Sequence, residues 1–337
     1  MQKKISLIIP AKTNEFYIED VLINILQWSL SPLEVIIVVT SKKKIKIDKY
    51  LARDFKKKNI NLNLIYKKNF FPGAARNVGI QKAKYDYLVF LDMNTLPYSK
   101  DWLKTNFKYI LKNKLKGVTG QTYYLASNKT EKIIRAATYG KASLSTIPGS
   151  IFLKKSVLKV GFFDSFTRAG EDTDWIKRLN TNNLNIKNAI HPVFYKGLYN
   201  TNYTIILKKW FRNYYYSSHL PHMSPQKFFY ITMLFFIFSF FVYNLNLLIL
   251  QWQSNDNLFP YFPHITKIFL MTSFIIYTFI RGVFMPMQKK ISLKYLFPYN
   301  FFFVTVFSIS LDIVKMLTFF STILRKRLNK NKRKLMK

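Results

Sequence analysis

The chain contains no cysteine, which excludes disulfides and cysteine-ligated metal sites. Acids are scarce as well: 16 Asp and Glu stand against 53 Lys and Arg, a formal net charge of +37. Two readings of that imbalance stay open. The chain meets a polyanion, such as nucleic acid, an anionic membrane or a phosphorylated substrate. Alternatively the lysines, like the abundant Asn, Ile, Phe and Tyr, reflect an AT-rich coding sequence. Aromatic residues make up 18% and gather toward the C-terminus, which compositional drift alone does not explain. No internal repeat is visible. The 337 residues give room for one large domain, or one domain plus something smaller.

Residues 1 to 125 alternate strand and helix. In "MQKKISLIIPAK" the apolar stretch Ile5 to Ile9 is shorter than the roughly 7–15 residues of a signal-peptide core, so it reads as a buried first strand stopped by Pro10. "NEFYIEDVLINILQWSL" has a helical period with Tyr17 or Ile18, Val21, Leu22, Ile25 and Leu26 on one face, and Asn14 is a plausible N-cap. "LEVIIVV" and "INLNLIYK" read as further strands around a polar-faced helix, "IDKYLARDFKKKN". "AARNVGIQKAK" opens a third helix and "YDYLVFLD" a fourth strand. This alternation predicts an α/β fold with a mostly parallel, doubly wound sheet. Ligands in such sheets sit at the C-terminal strand ends, where Pro10, Val39 to Ser41, the Phe70 to Gly73 loop and Asp92 fall.

From residue 228 the chain changes character. Segment 228–250 has no charge and is long enough for a spanning helix, which needs about 20 residues. Segment 265–287 is a second candidate, with Lys267 and Arg281 near its ends, placed to snorkel. The linker between them has no Lys or Arg, whereas "MQKKISLK" and the tail "RKRLNKNKRKLMK" are basic. The positive-inside rule then puts the N-terminal domain and the tail in the cytoplasm, at the inner membrane. Asp312 and Lys315 lie mid-way in 296–324 and are costly in a spanning helix, so an interfacial or re-entrant segment is expected there. The alternative for 228–324 is the core of a soluble helical domain. The tail 325–337 suits anionic lipid headgroups or a solvated disordered end. Residues 203–218 form an amphipathic, aromatic helix suited to the membrane interface, or to ordinary packing. The expected division is an α/β domain over 1–218 and a membrane region over 219–337.

Three short stretches carry chemistry. In "YLVFLDMN", Asp92 and Asn94 offer two oxygen ligands for Mg²⁺ or Mn²⁺ against phosphate, provided the extended geometry continues. A turn-capping aspartate is the plainer alternative. In "FPGAARNVG", Gly73 permits a tight loop, and Arg76 and Asn77 fall in the first helical turn. Arg76 there meets phosphate, holds the Asp92 loop through a carboxylate pair, or lies on the surface. In "RAGEDTDWIKRL", Glu171, Asp172 and Asp174 crowd a helix start. That arrangement satisfies the helix dipole, and it also offers a general base.

Taken in order, these stretches resemble the family 2 glycosyltransferases over residues 4–215. "SLIIPAKTNEFYIEDVLINIL" is similar to the family's opening strand, turn and first helix, and "PGAARNVGI" to its Gly-x-x-x-Arg-Asn-x-Gly segment. "YLVFLDMN" stands at the D-x-D position and "GEDTDWIKRL" at the Glu-Asp motif. The resemblance implies a GT-A catalytic domain and an inverting, metal-dependent transfer from a nucleotide-sugar donor. The donor would be bound by Pro10, Lys12, Thr40, Gly73, Arg76, Asn77, Asp92 and Asn94. It implies Asp92, Asn94 and His191 as ligands of a divalent cation. Asp172 would be the catalytic base, with Glu171 beside it. His191 equally suits a strand end before Pro192, and His219 with His222 reads as a loop rather than a metal pair. Two departures stand out. Val39 and Thr40 occupy the place of the acids that read the base, so a uridine donor is not implied, and Asn94 replaces the last acid of D-x-D.

The membrane segments point to a lipid-linked or envelope-glycan acceptor. Two rivals are a polyprenyl-phosphate glycosyltransferase and a non-catalytic membrane-bound sugar-nucleotide scaffold. Nucleic-acid binding rests on charge alone and would show a steep salt dependence; no nucleic-acid partner is expected.

Overall fold

The computed structural model describes residues 4–12, 18–41, 45, 47–199, 202–235 and 264–335. Asn14 and residues 236–250 of the first candidate span lie outside them. The chain divides into two compact units, Met1–Ser127 with Lys141–Thr201, and Asn128–Gly140 with Asn202–Lys337. The division therefore falls ahead of residues 203–218, and it sends the short segment 128–140 to the second unit.

The first unit is built on one sheet. Its strands are β1 (Ile5–Ala11), β2 (Glu34–Val39), β3 (Asn61–Tyr66), β4 (Tyr87–Phe90), β5 (Thr95–Pro97), β6 (Gly117–Tyr124), β7 (Leu144–Leu153), β8 (Ile186–Asn188) and β9 (Val193–Tyr195). Their order is β3-β2-β1-β4-β7-β6-β9-β5, with β8 beside β6. β3, β2, β1 and β4 run parallel, and β7 joins β4 antiparallel. The mostly parallel α/β sheet expected above is present.

Periodicity explains the layers. Strand side chains alternate between faces, so a strand covered on both sides must be apolar throughout. In β1, Ile5, Leu7 and Ile9 face one core, with Val21, Leu22 and Ile25 of α1 (Ile18–Leu26) and Leu51 and Phe55 of α2 (Lys49–Lys57). Ile8 points the other way, toward Ala75 and Ile80 of α3 (Pro72–Lys82). α4 (Trp102–Lys112) joins the first core through Trp102, Leu103, Phe107 and Ile110. α6 (Lys154–Val160) and α7 (Glu171–Thr181) join the second through Val157, Val160, Trp175 and Leu179. α7 therefore lies on the same side of the sheet as α3.

The second unit contains α5 (Lys129–Ala137), α8 (Tyr203–Ser217) and a helix running from Asn300 to Leu335. α8 buries Ile206 and Trp210; its Tyr203 donates to Ser310 Oγ at 2.6 Å, and the Tyr214 ring packs on Phe319. Residues 264–288 are helical, with a π-helical turn at Ile280–Phe284.

Two expectations change here. Residues 300–324 form an uninterrupted stretch of helix, which speaks against the re-entrant form expected there and fits an interfacial or a spanning helix. Asn300–Leu324 is, among the described residues, the helix long and apolar enough to cross a membrane by length and composition. Arg281 does not snorkel: it is buried, and its Nε lies 2.7 Å from Asp312 Oδ2. That ion pair, with Lys315 at 3.2 Å, supplies partners to the charges that argued against a spanning helix.

Candidate active site

The site begins with the start of α3. Pro72 occupies its first turn, where a missing N–H costs nothing. Gly73, Ala74 and Ala75 then let the helix sink into the fold, and Arg76 goes with them until it is 1% exposed. A buried guanidinium must find acceptors. Arg76 Nη2 donates to Asp92 Oδ1 at 2.9 Å, while Nη1 donates to Asp172 Oδ1 at 2.5 Å and Glu171 Oε1 at 3.1 Å. The Phe163 ring lies 5.6 Å from its central carbon. Of the readings open for Arg76, the carboxylate pair is the one observed, and it extends to three acids.

Each acid is delivered by local structure. Asp92 follows the end of β4, where its N–H donates to Thr95 Oγ1 at 2.8 Å and its carbonyl accepts from the Thr95 amide at 3.0 Å. The chain turns there, so Asp92 and Asn94 do not continue the strand as a facing pair. Gly170 holds φ +89°, a left-handed cap position where a side chain would be strained, and α7 begins directly after it. Glu171 and Asp172 are thus aimed at Arg76. Asp174 goes elsewhere, accepting from Arg178 Nε at 3.0 Å.

The electrostatics follow from one cation serving three acids. Burial opposes the charged guanidinium, but Asp172, Asp92 and Glu171 together outweigh it and hold Arg76 firmly protonated. Burial raises Glu171 despite Arg76. Burial also raises Asp172; Arg76 opposes it, and the Glu171 and Asp92 charges add to it, leaving the carboxyl pushed up to about 8. Exposure separates the three: the Glu171 side chain is 7% exposed, whereas Asp92 and Asp172 keep 30% and 28%. Two carboxylates therefore face solvent, and the third braces the arginine from inside.

Asn77 and Gly73 fasten the loop that carries the acids. Asn77 Nδ2 donates to the Phe163 carbonyl at 2.8 Å and Ser165 Oγ at 3.0 Å, and Asn77 Oδ1 accepts from the Phe163 amide at 2.9 Å. Its side chain, expected at the ligand, is taken up by this clamp. A Cβ on Gly73 would lie 2.1 Å from the Asp164 carbonyl oxygen and 3.3 Å from Glu171 Cγ. Gly73→Ala should therefore push the loop off α3 and cost about 1–3 kcal/mol, read as a lower urea midpoint with unchanged slope.

Other expected residues land differently. Val39 is fully buried in the core, and Thr40 is tied to β1, its amide and hydroxyl both donating to the Ala11 carbonyl. Pro10 is half-buried and Lys12 exposed beside them. Asn94 Nδ2 donates to Tyr195 OH at 3.3 Å, while its buried Oδ1 has no partner among the described residues. His191 is exposed, and its main chain does the anchoring: its carbonyl accepts from Trp102 Nε1 and Asn106 Nδ2. No three His, Asp or Glu side chains gather as a metal site among the described residues. Of the expected metal ligands, Asp92 keeps its side chain 30% exposed, whereas Asn94 Oδ1 is buried. Tyr195, which orients Asn94, had no signal in the sequence: it lies 101 residues away.

Comparison with known proteins places this site in a family. The model for glycosyl transferase family 2 matches residues 6–178, just over half of the chain. Uncharacterized glycosyltransferases of Rickettsia felis and Rickettsia conorii are each 26% identical, over 48% and 54% of this chain and 29% and 31% of their own length. The chain thus spans about a third of the curated relatives it matches. Among solved structures, S. aureus TarS 1-349 in complex with UDP-GlcNAc is 15% identical, with a TM-score of 0.43 over 65% of this chain and 67% of that one. The mannosyltransferase PcManGT from Pyrobaculum calidifontis, in complex with GDP-Man and Mn²⁺, is 14% identical with a TM-score of 0.45, over 64% and 62%.

Proposed function

The chain belongs to glycosyl transferase family 2, and from that premise we propose an inverting transfer of a sugar from a nucleotide-sugar donor to a hydroxyl of a lipid-linked or envelope-glycan acceptor. The observation that carries this reading is Arg76, which joins Asp92 and Asp172 into one partly exposed site. Asp172 takes the proton of the acceptor hydroxyl. The freed oxygen bonds to the anomeric carbon as the bond from that carbon to the diphosphate oxygen breaks, and the diphosphate leaves with the electron pair. Asp92 would hold Mg²⁺ or Mn²⁺, which when bound supplies positive charge for the leaving diphosphate. Arg76 fixes both carboxylates and adds a permanent positive charge between them. Glu171 positions Arg76. The apolar helix Asn300–Leu324 supports a membrane setting, and the first unit is placed on the cytoplasmic face of the inner membrane.

The test is release of nucleoside diphosphate from a panel of nucleotide sugars by the full chain in detergent, with Mn²⁺ and after chelation by EDTA. Release that EDTA stops and Mn²⁺ restores is expected. Release from no donor would leave the sugar-nucleotide scaffold as the better reading.

The pH dependence has a definite sign. A base acts unprotonated, so kcat/KM should rise as pH climbs through about 8 and level off beyond it. Stability should run the other way. The native state holds the Asp172 proton more tightly than the unfolded chain, so its contribution falls as pH rises from the ordinary 3.8 through about 8. A rate profile flat across that interval would remove Asp172 from the role of base.

A further inference from the structure

We propose that the open edge of β3 is a docking site for an extended, acid-flanked segment of another protein, which joins the sheet as a further strand. β3 ends the strand order, and among the described residues its one neighbour is β2. The pairing is parallel, so alternate residues serve that neighbour. Asn61 and Lys67 donate their amides to the Leu33 and Val39 carbonyls, at 2.9 and 2.8 Å. Leu62 and Leu64 fall in the other alternation, and so turn their amides and carbonyls to the open side.

Such an edge is usually guarded by a charge, a proline or a bulge. The strand "NLNLIY", Asn61–Tyr66, has no charge and no proline, and its register with β2 runs without a shift. Its backbone is a free template for pairing.

The same two leucines line a groove of about 550 Å³ beside α2. Phe55 and Ile60 are its buried members, at 1% and 4% exposure, while Leu62 and Leu64 are half-buried. Both leucines pack on the core that contains Phe55. A strand laid along β3 would satisfy the open backbone groups and set alternate side chains over this groove. The occupant is therefore extended, with apolar residues at every second position.

Charge selects its flanks. Lys56 lines the groove ahead of β3, and Lys67 and Lys68 follow the strand; all three are exposed. The acids nearby are engaged: Asp54 pairs with Lys57 at 3.5 Å, and Asp48 caps the first amides of α2. A second copy of the chain fits poorly. Paired antiparallel, it sets Lys56 against the Lys67 and Lys68 of its twin, and paired parallel it sets like ends together. Acids flanking the apolar stretch of a different chain meet lysine at both ends.

The test titrates the full chain, in an uncharged detergent, with the peptide Glu-Glu-Val-Thr-Val-Thr-Val-Glu-Glu, its lysine-flanked counterpart and a version with proline at the centre. Saturable binding of the acidic peptide alone is expected, with slowed exchange of the Leu62 and Leu64 amides. Lys56→Glu combined with Lys67→Glu turns attraction into repulsion at both ends, so it should weaken binding about tenfold and admit the lysine-flanked peptide. Leu62→Pro removes an outward amide while leaving the β2 pairing intact, and should weaken binding as much. If a melting curve shows that this variant fails to fold, the charge variant carries the test. Binding of no peptide, equal binding of either control, unchanged exchange at β3, or full affinity in the charge variant overturns the proposal. So does amide protection that grows with the concentration of the chain itself, which would make a second copy the occupant. None of these residues belongs to the acid site, so failure here leaves the transferase reading untouched.

Discussion

Asp172→Asn should lower kcat by roughly a hundred- to ten-thousand-fold, the usual worth of a positioned general base. Nucleotide-sugar binding should be nearly unchanged. Asparagine keeps the shape, and its oxygen can still accept from Arg76 Nη1, which now sits 2.5 Å from Asp172 Oδ1. What it loses is the capacity to take a proton. The fold should not suffer. Burial first, and then the Glu171 and Asp92 charges, push the Asp172 carboxyl up to about 8, so it is largely neutral at pH 7 and the neutral amide changes little. Initial rates, donor calorimetry and a melting curve on one preparation separate these effects. Normal turnover would remove the base assignment, and a collapsed melting temperature would show that Asp172 is chiefly structural.

The opposite pattern is expected from Arg76→Met, which should destabilise the first unit by about 3–5 kcal/mol, the cost of breaking a buried ion pair from one side. Methionine fills similar volume, so the loss is one of charge. It would strand Glu171, 7% exposed, beside Asp172 and Asp92 with no cation among them. The defect should shrink in mild acid, where the stranded carboxyls take up protons and no longer need a partner. Arg76→Lys should fall between, because one ammonium cannot reproduce a fork that reaches acids on two separate segments. Urea midpoints at two pH values check this. An Arg76→Met protein as stable as wild type would mean that the three acids do not depend on the arginine.

The sheet was legible because β1 and β2 are apolar on both faces, a pattern that only a strand covered from both sides needs. Asp92 and Asp172 were legible because acids are rare in this chain and these two fall at a strand end and a helix start. What joins them was not. Arg76 lies 96 residues from Asp172, and local sequence left phosphate, carboxylate and solvent all open to it. Asn77 read as a ligand residue because its partners, Phe163 and Ser165, come from a loop that only folding brings near. Asn94 read as facing Asp92 because strand geometry was carried two residues too far; the Thr95 turn ends it. In the second unit, Asp312 and Lys315 argued against a spanning helix until Arg281, 31 residues earlier, supplied the counter-charge. The inclusion of 128–140 in that unit had no signal at all, since a short amphipathic helix carries no label for the surface it covers.

The central claim is that Asp92 and Asp172 belong to one nucleotide-sugar site organised by Arg76. Its most direct test is calorimetric titration of a nucleotide-sugar panel into the full chain and into Asp92→Asn, with Mn²⁺ present. The account predicts saturable binding of at least one donor, lost or strongly weakened in the variant and restored by no other divalent cation. Binding of no donor, or equal affinity in the two proteins, would contradict it.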